Sequence, residues 1–219
     1  MRLFILSITT LLLSSLALVA QPDYQAAMQA NLAKMDGAEK MADLQAAANT
    51  FERIGKAEAD EWLPEYYATL SYINLGWWGL KTGGGAEAMA TMLDKAQAML
   101  NAANAKLDGS NSELHTLQGY IYQARVQENP MANGPKYTTK AMAEFNKASS
   151  LDPTNPRPHY LTGQHVFYMP EAFGGGKAKA KPHLEKAKEL FAAQDSEDAL
   201  APRWGAEYNA QMLAQYDEN

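Results

Sequence analysis

The sequence predicts an all-α fold of paired helices, and three observations lead there. Alanine, leucine, methionine, glutamate and lysine dominate the 219 residues while β-branched residues are few, a composition that leans toward helix. A glycine triplet, seven residues and then Leu-acid-Lys-Ala occur twice, as GGGAEAMATMLDKA at 83–96 and GGGKAKAKPHLEKA at 174–187, offset by 91 residues. A second match, offset by 44, aligns LDGSNSELHTLQG (107–119) with LDPTNPRPHYLTG (151–163), with Leu, Asp, Asn, His, Leu and Gly in register. Self-similarity of this kind marks a helical-repeat chain.

The elements follow in order. Residues 1–20, MRLFILSITTLLLSSLALVA, have a positive start at Arg2, an apolar run and small residues near Ala20, the pattern of a secretory signal peptide. Cleavage after Ala20 or after Ala17 fits. Ser7, Thr9, Thr10, Ser14 and Ser15 interrupt the run and argue against a stable membrane span. Residues 21–219 then read as one repeat domain. Its first helix pair is expected near 22–35 and 39–56, punctuated by Gly37. The second pair is expected at about 62–80 and 86–106, joined by the first glycine triplet. The third is expected at about 112–128 and 138–149, across the loop NPMANGP, and the fourth at about 157–168 and 178–193, across MPEAFGGG. A last helix, about 202–216, should cap the array. Pro130, Pro135, Pro170 and Pro202 are expected in loops or at helix starts.

The short motif FERI (51–54), LDKA (93–96), FNKA (145–148) and LEKA (184–187) recurs at spacings of 39 to 52. Around it, Ala141, Phe145, Ala148 and Pro153 are spaced by 4, 3 and 5, and Gly119 and Gly163 sit inside the following apolar helices. Small residues let two helix backbones approach while a large one fills the adjoining space. This pattern resembles the tetratricopeptide repeat (TPR) over about residues 22 to 193. The resemblance implies a right-handed α-solenoid of about four helix pairs with a C-terminal capping helix. With the export signal, it suggests an exported bacterial TPR protein. The FGGGK loop and the signal also resemble the TPR proteins that accompany periplasmic solute (TRAP-type) transporters.

Composition narrows the function. The formal net charge of -6 disfavours nucleic acid and anionic membranes as partners, and no membrane insertion is expected once the signal is removed. The absence of cysteine removes disulfides, lipid attachment and thiol chemistry. The stretch FGGGKAKAK (173–181) invites reading as a phosphate cradle. A Walker loop fails here, because Ala178 follows Gly176-Lys177 and Glu171 stands where the first glycine belongs. The glycines read instead as a turn between paired helices. Of the four histidines, His115 and His159 occupy equivalent repeat positions, which favours packing between paired helices. His159 and His165 are six apart, about 240° around a helix, so one straight helix does not bring both to a metal. No catalytic site, metal site or cofactor is expected, and the protein reads as a non-enzyme.

Aromatic residues are the richer signal. Trp62, Tyr66, Tyr67, Tyr72, Trp77, Trp78, Tyr120, Tyr122, Tyr160, Phe167, Tyr168, Trp204 and Tyr208 fall in the first helices of pairs or in the cap; Trp62, Tyr67 and Tyr122 read as core. In the resembled family the first helices also line a concave groove. Carried over by register, that groove comprises Glu65, Tyr72, Glu113, Tyr120, Gln123, Arg157, Tyr160, Gln164, Phe167 and Tyr168. Rings mixed with Gln, Glu and Arg suit an extended peptide or partner helix. The expectation is therefore an exported, soluble scaffold in the bacterial periplasm or secreted space, binding a protein or peptide through this groove and compatible with homo-oligomers. The alternative is a small-ligand carrier that accompanies a periplasmic transporter, with a pocket lined by Tyr120, Tyr160 and Tyr168.

Overall fold

The computed structural model describes residues 20–217. The signal segment thus lies outside the described residues except for Ala20. Among the described residues there are nine α-helices and no strand: α1 (Ala20–Asp36), α2 (Met41–Ala57), α3 (Leu63–Lys81), α4 (Gly85–Ala105), α5 (Ser112–Arg125), α6 (Pro130–Leu151), α7 (Pro156–Tyr168), α8 (Lys177–Ala193) and α9 (Ala206–Ala214). None is long and apolar enough to cross a membrane.

Local chemistry sets the boundaries. Asn111 and Asn155, the asparagines shared by the 44-residue match, are both helix N-caps. Their side chains accept from Glu113 N and Leu114 N, and from Arg157 N, which satisfies donors that no helical carbonyl reaches. In each glycine triplet the first and third members have positive φ: Gly83 and Gly85 at 91° and 70°, Gly174 and Gly176 at 91° and 103°. Such angles suit glycine alone. The N–H groups of Gly174, Gly175 and Gly176 donate to the carbonyls of Glu171, Pro170 and Val166, leaving none of the three for an anion. The stretch is a turn.

Two expected boundaries are corrected. NPMANGP is not a loop: α6 starts at Pro130, capped by the Asn129 side chain, with Pro135 inside it. The carbonyl that Pro135 leaves without a donor is that of Met131, which is 92% exposed, so water meets it and the helix continues. The terminal helix is shorter than expected. It begins at Ala206 because Gly205, at φ 106°, ends a loop that first crosses the body of the protein.

Each helix packs on its chain neighbours, most extensively α3 on α4, α5 on α6 and α7 on α8; α3 also touches α5, α5 touches α7, and α7 touches α9. Helices α3, α5, α7 and α9 thus form one continuous face. Within a pair, the shared glycines make the close approach possible. A Cβ on Gly119 would stand 2.4 Å from the Phe145 ring, and one on Gly163 would stand 2.6 Å from Leu184 Cδ2. The shared histidines sit at the same crossings. His115 Nδ1 is 2.6 Å from Glu144 of α6. His159 is half-buried beside His183 of α8, and burial, His183 and Lys186 all lower its pKa.

Gly119→Ala should cost about 1–3 kcal/mol through overpacking against Phe145. Gly79→Ala, at a helical position where the added methyl would meet only Met41 Cε at 3.9 Å, should gain up to about 1 kcal/mol from helix propensity. Thermal melts of the two variants beside the wild type check both signs.

Candidate functional site

The face formed by α3, α5 and α7 has two ends of different chemistry. At the end where these helices begin, Glu113 is a hub. It accepts from Tyr66 Oη at 2.6 Å, Asn155 Nδ2 at 2.7 Å and Arg157 Nε at 2.8 Å, and Arg157 Nη2 lies 2.7 Å from it. Arg157 is only 3% exposed. Its burial alone would lower its pKa, but Glu113 together with Tyr66 and Tyr67 more than offsets this and the net shift is upward. Tyr66 is pushed well above the ordinary phenol range by burial, with Glu113 adding to the effect.

The chain's own C-terminal loop closes this end. Trp204 Nε1 donates to Tyr66 Oη at 2.7 Å, and Tyr67 Oη donates to the Leu200 carbonyl at 2.7 Å. The Arg157 guanidinium lies 5.8 Å from the centre of the Trp204 ring. Gly205 rests on Tyr160 and Phe191, where a Cβ would come within 3.3 Å and 2.9 Å of them.

The other end is aromatic. Tyr120 is stacked between Trp77 and Trp204, with ring centroids 6.5 and 6.1 Å apart and planes 27° and 17° from parallel. Tyr160 lies beside this row, its hydroxyl accepting from Gln164 Nε2 at 3.1 Å, while Gln164 Oε1 accepts from Gln123 Nε2 at 2.8 Å. Tyr120 and Tyr160 are buried, and burial raises the pKa of both. Tyr208 is near enough to add to both shifts, and Tyr168 to that of Tyr160. Tyr168 and Tyr208 are themselves 70% and 64% exposed, so buried rings form the floor and exposed phenols the rim. Phe167 extends the wall, edge-on to Tyr168 at 5.0 Å and to Tyr216 at 6.0 Å. Two buried polar atoms at this end, Gln123 Oε1 and Trp77 Nε1, have no partner among the described residues.

Of the expected groove residues, the structure gathers Tyr120, Gln123, Tyr160, Gln164, Phe167 and Tyr168 at the aromatic end. Glu113 and Arg157 lie under Trp204 instead. Glu65 is paired internally with Lys106 at 2.7 Å, whose ammonium also donates to the carbonyls of Gly55 in the last turn of α2 and of Glu58 and Glu61 beyond it. Tyr72 is buried and turned onto α2, where its hydroxyl meets Glu52 and Asn49. Register reasoning missed Trp77, Trp204, Tyr208 and Tyr216 as site residues. The i, i+4 spacing of Trp204 and Tyr208 in the cap was the available signal.

Chemically, this end offers flat rings, phenols and amides. The imidazoles lie elsewhere: His115 meets Glu144, His165 Nε2 lies 3.2 Å from Thr138 Oγ1, and His159 and His183 are together between α7 and α8. Among the described residues no cluster of three His, Cys, Asp or Glu could hold a metal. A cleft of about 230 Å³ between the end of α8 and the loop, lined in part by Phe191, Gln194, Pro202 and Arg203, falls below the roughly 300–1,000 Å³ of ordinary ligand pockets. The open aromatic face is therefore the candidate site, suited to stacking a planar ring system.

No family model matches the sequence, and no curated protein matches it. Among solved structures the chain is similar to the HusA haemophore from Porphyromonas gingivalis, with a TM-score of 0.77 and 29% identity over 88% of this chain and 92% of that one. The similar protein is a haemophore. That similarity overturns the expected reading as a protein-binding TPR scaffold and favours the small-ligand alternative. The geometry gives the physical reason: residues 200–205 already occupy the end of the face where a partner peptide would lie on Glu113 and Arg157.

Arg157→Met would leave the largely enclosed Glu113 without its main counter-charge and should cost about 2–4 kcal/mol. The double variant Arg157→Met/Glu113→Gln should recover part of that loss. Urea midpoints of the single and double variants read the difference.

Proposed function

We propose that this protein is a non-enzymatic carrier of haem or a closely related planar tetrapyrrole, bound on the aromatic end of the odd-helix face. The observation that carries the reading is the ring array itself. Trp77, Tyr120 and Trp204 are stacked in one row, with Tyr168 and Tyr208 exposed at its rim. The 29% identity to a haemophore over most of both chains supports the same ligand class. We further propose that the helix pairs coil as a solenoid with the odd helices inside, which would make this face a shallow trough. The apolar leader with its positive start supports an export route for the carrier.

The residues fit such a ligand. Stacked rings supply dispersion and area burial to a macrocycle, and beneath them the buried Gln123 Oε1 and Trp77 Nε1 have no hydrogen-bond partner among the described residues. A bound haem would bring its iron, and the phenol oxygens of Tyr168 and Tyr208 are the exposed groups at the rim able to ligate it. Because the imidazoles lie elsewhere, most of the affinity comes from the rings, so metal-free porphyrin should bind within about tenfold of haem, roughly 1.4 kcal/mol.

Titration of the purified protein with haemin, followed by the Soret band and tryptophan quenching, tests this. Saturable binding is expected, with Trp77 and Trp204 among the quenched indoles. Tyr168→Ala/Tyr208→Ala should weaken binding about tenfold or more, at about 1 kcal/mol per ring contact. Absence of saturable binding, or equal affinity in the double variant, would overturn the assignment.

A further inference from the structure

We propose that Lys177 and Lys181 form a carboxylate-binding edge of the aromatic site, so that its ligand is a tetrapyrrole with free acid groups on one edge rather than a neutral ring. This rests on the tetrapyrrole reading and adds the chemistry of the ligand's periphery. Lys177 and Lys181 are four residues apart near the start of α8, and therefore on one helix face. Their ammonium groups lie over two rings of the site wall: Lys177 Nζ is 5.4 Å from the centre of Phe167, and Lys181 Nζ is 5.5 Å from that of Tyr216. Those rings touch each other, and Phe167 touches the rim residue Tyr168. The Tyr216 hydroxyl donates to the Lys177 carbonyl at 2.8 Å, which fixes the terminal segment against the start of α8.

Two cations are thus held by ring faces at the border of the surface proposed to stack the macrocycle. Little else in the fold accounts for them. Positive charge at a helix start opposes the macrodipole. Lys181 has one acidic neighbour, Glu185, at 3.9 Å with both side chains about half exposed, a contact of little energetic weight. Among the described residues no carboxylate lies within 4 Å of Lys177. Lys179 is directed elsewhere, its ammonium 4.0 Å from where a Cβ on Gly174 would stand. A ring system seated on Tyr168 with two carboxylates along one edge brings those charges to Lys177 and Lys181. The two pairs can then form charge-assisted hydrogen bonds.

The test compares protoporphyrin IX with its dimethyl ester, which keeps the ring and removes the charges. Both are titrated against the full-length protein, Lys177→Ala/Lys181→Ala, Lys177→Arg/Lys181→Arg and the control Lys186→Ala/Lys188→Ala. Wild type and control should prefer the free acid by about tenfold or more. The alanine pair should lose that preference by weakening the acid alone, and the arginine pair should keep it. If wild type binds both forms equally, or the alanine pair retains the preference, the carboxylate edge is wrong while the stacking site stands. If wild type binds neither form, both readings fall.

Discussion

The largely enclosed carboxylate of Glu113, its side chain 13% exposed, is the contact on which the rest of the molecule depends. It stands on the first turn of α5 and accepts from Tyr66 of α3 and from Arg157 and the Asn155 cap of α7, so three successive odd helices share one acceptor. A buried carboxylate is tolerable only when its lone pairs are filled and a countercharge is adjacent. Here both conditions are met by groups from other helices. The hydroxyl that donates to Glu113 also accepts from the Trp204 indole, so the hub holds the C-terminal loop as well. Through Trp204 it governs the site, because that same ring is one slab of the aromatic row. The packing of the three helices and the placement of the aromatic row are therefore coupled through a single side chain.

The second constraint is close approach inside each helix pair. Gly119 and Gly163 permit Phe145 and Leu184 to reach the neighbouring backbone, and the asparagine caps eight residues earlier fix where each odd helix starts. With start and crossing both set, the side chains further along α5 and α7 have little freedom of placement. Gln123 and Gln164 meet across the face, and Tyr120 and Tyr160 come to lie beside each other beneath Trp204 and Gly205. The aromatic end is a consequence of the repeat, refined by the C-terminal loop that the repeat does not contain.

Much of this was legible in the sequence. The glycine triplets, the shared Asn-His-Gly register and the helix-rich composition point to paired helices because each is a local signal: a turn angle, a cap, a helix crossing. Six of the ten expected groove residues do gather at one site, since helical periodicity carries them there. The errors have local causes too. Pro135 suggested a loop, but a proline early in an exposed helix only strands a carbonyl that water can reach. Tyr72 was expected on the groove by repeat register, yet its hydroxyl finds Glu52 and Asn49 on α2.

The sequence by itself determined the helical class, the pairing of helices and the concentration of aromatic rings on first helices and cap, because propensity, capping and turn glycines act over a few residues. Only the tertiary structure decided which groove positions are open and what they suit. Residues 200–205 fold back across α3, α5 and α7, with Leu200 reaching Tyr67 and Trp204 reaching Tyr66, partners more than 130 positions away in the chain. No periodicity records a contact of that range. Its energy comes from hydrogen bonds and stacking between groups that are adjacent only once the whole chain has folded. That fold-back turns an apparent peptide groove into a ring-lined face closed at one end by the chain itself.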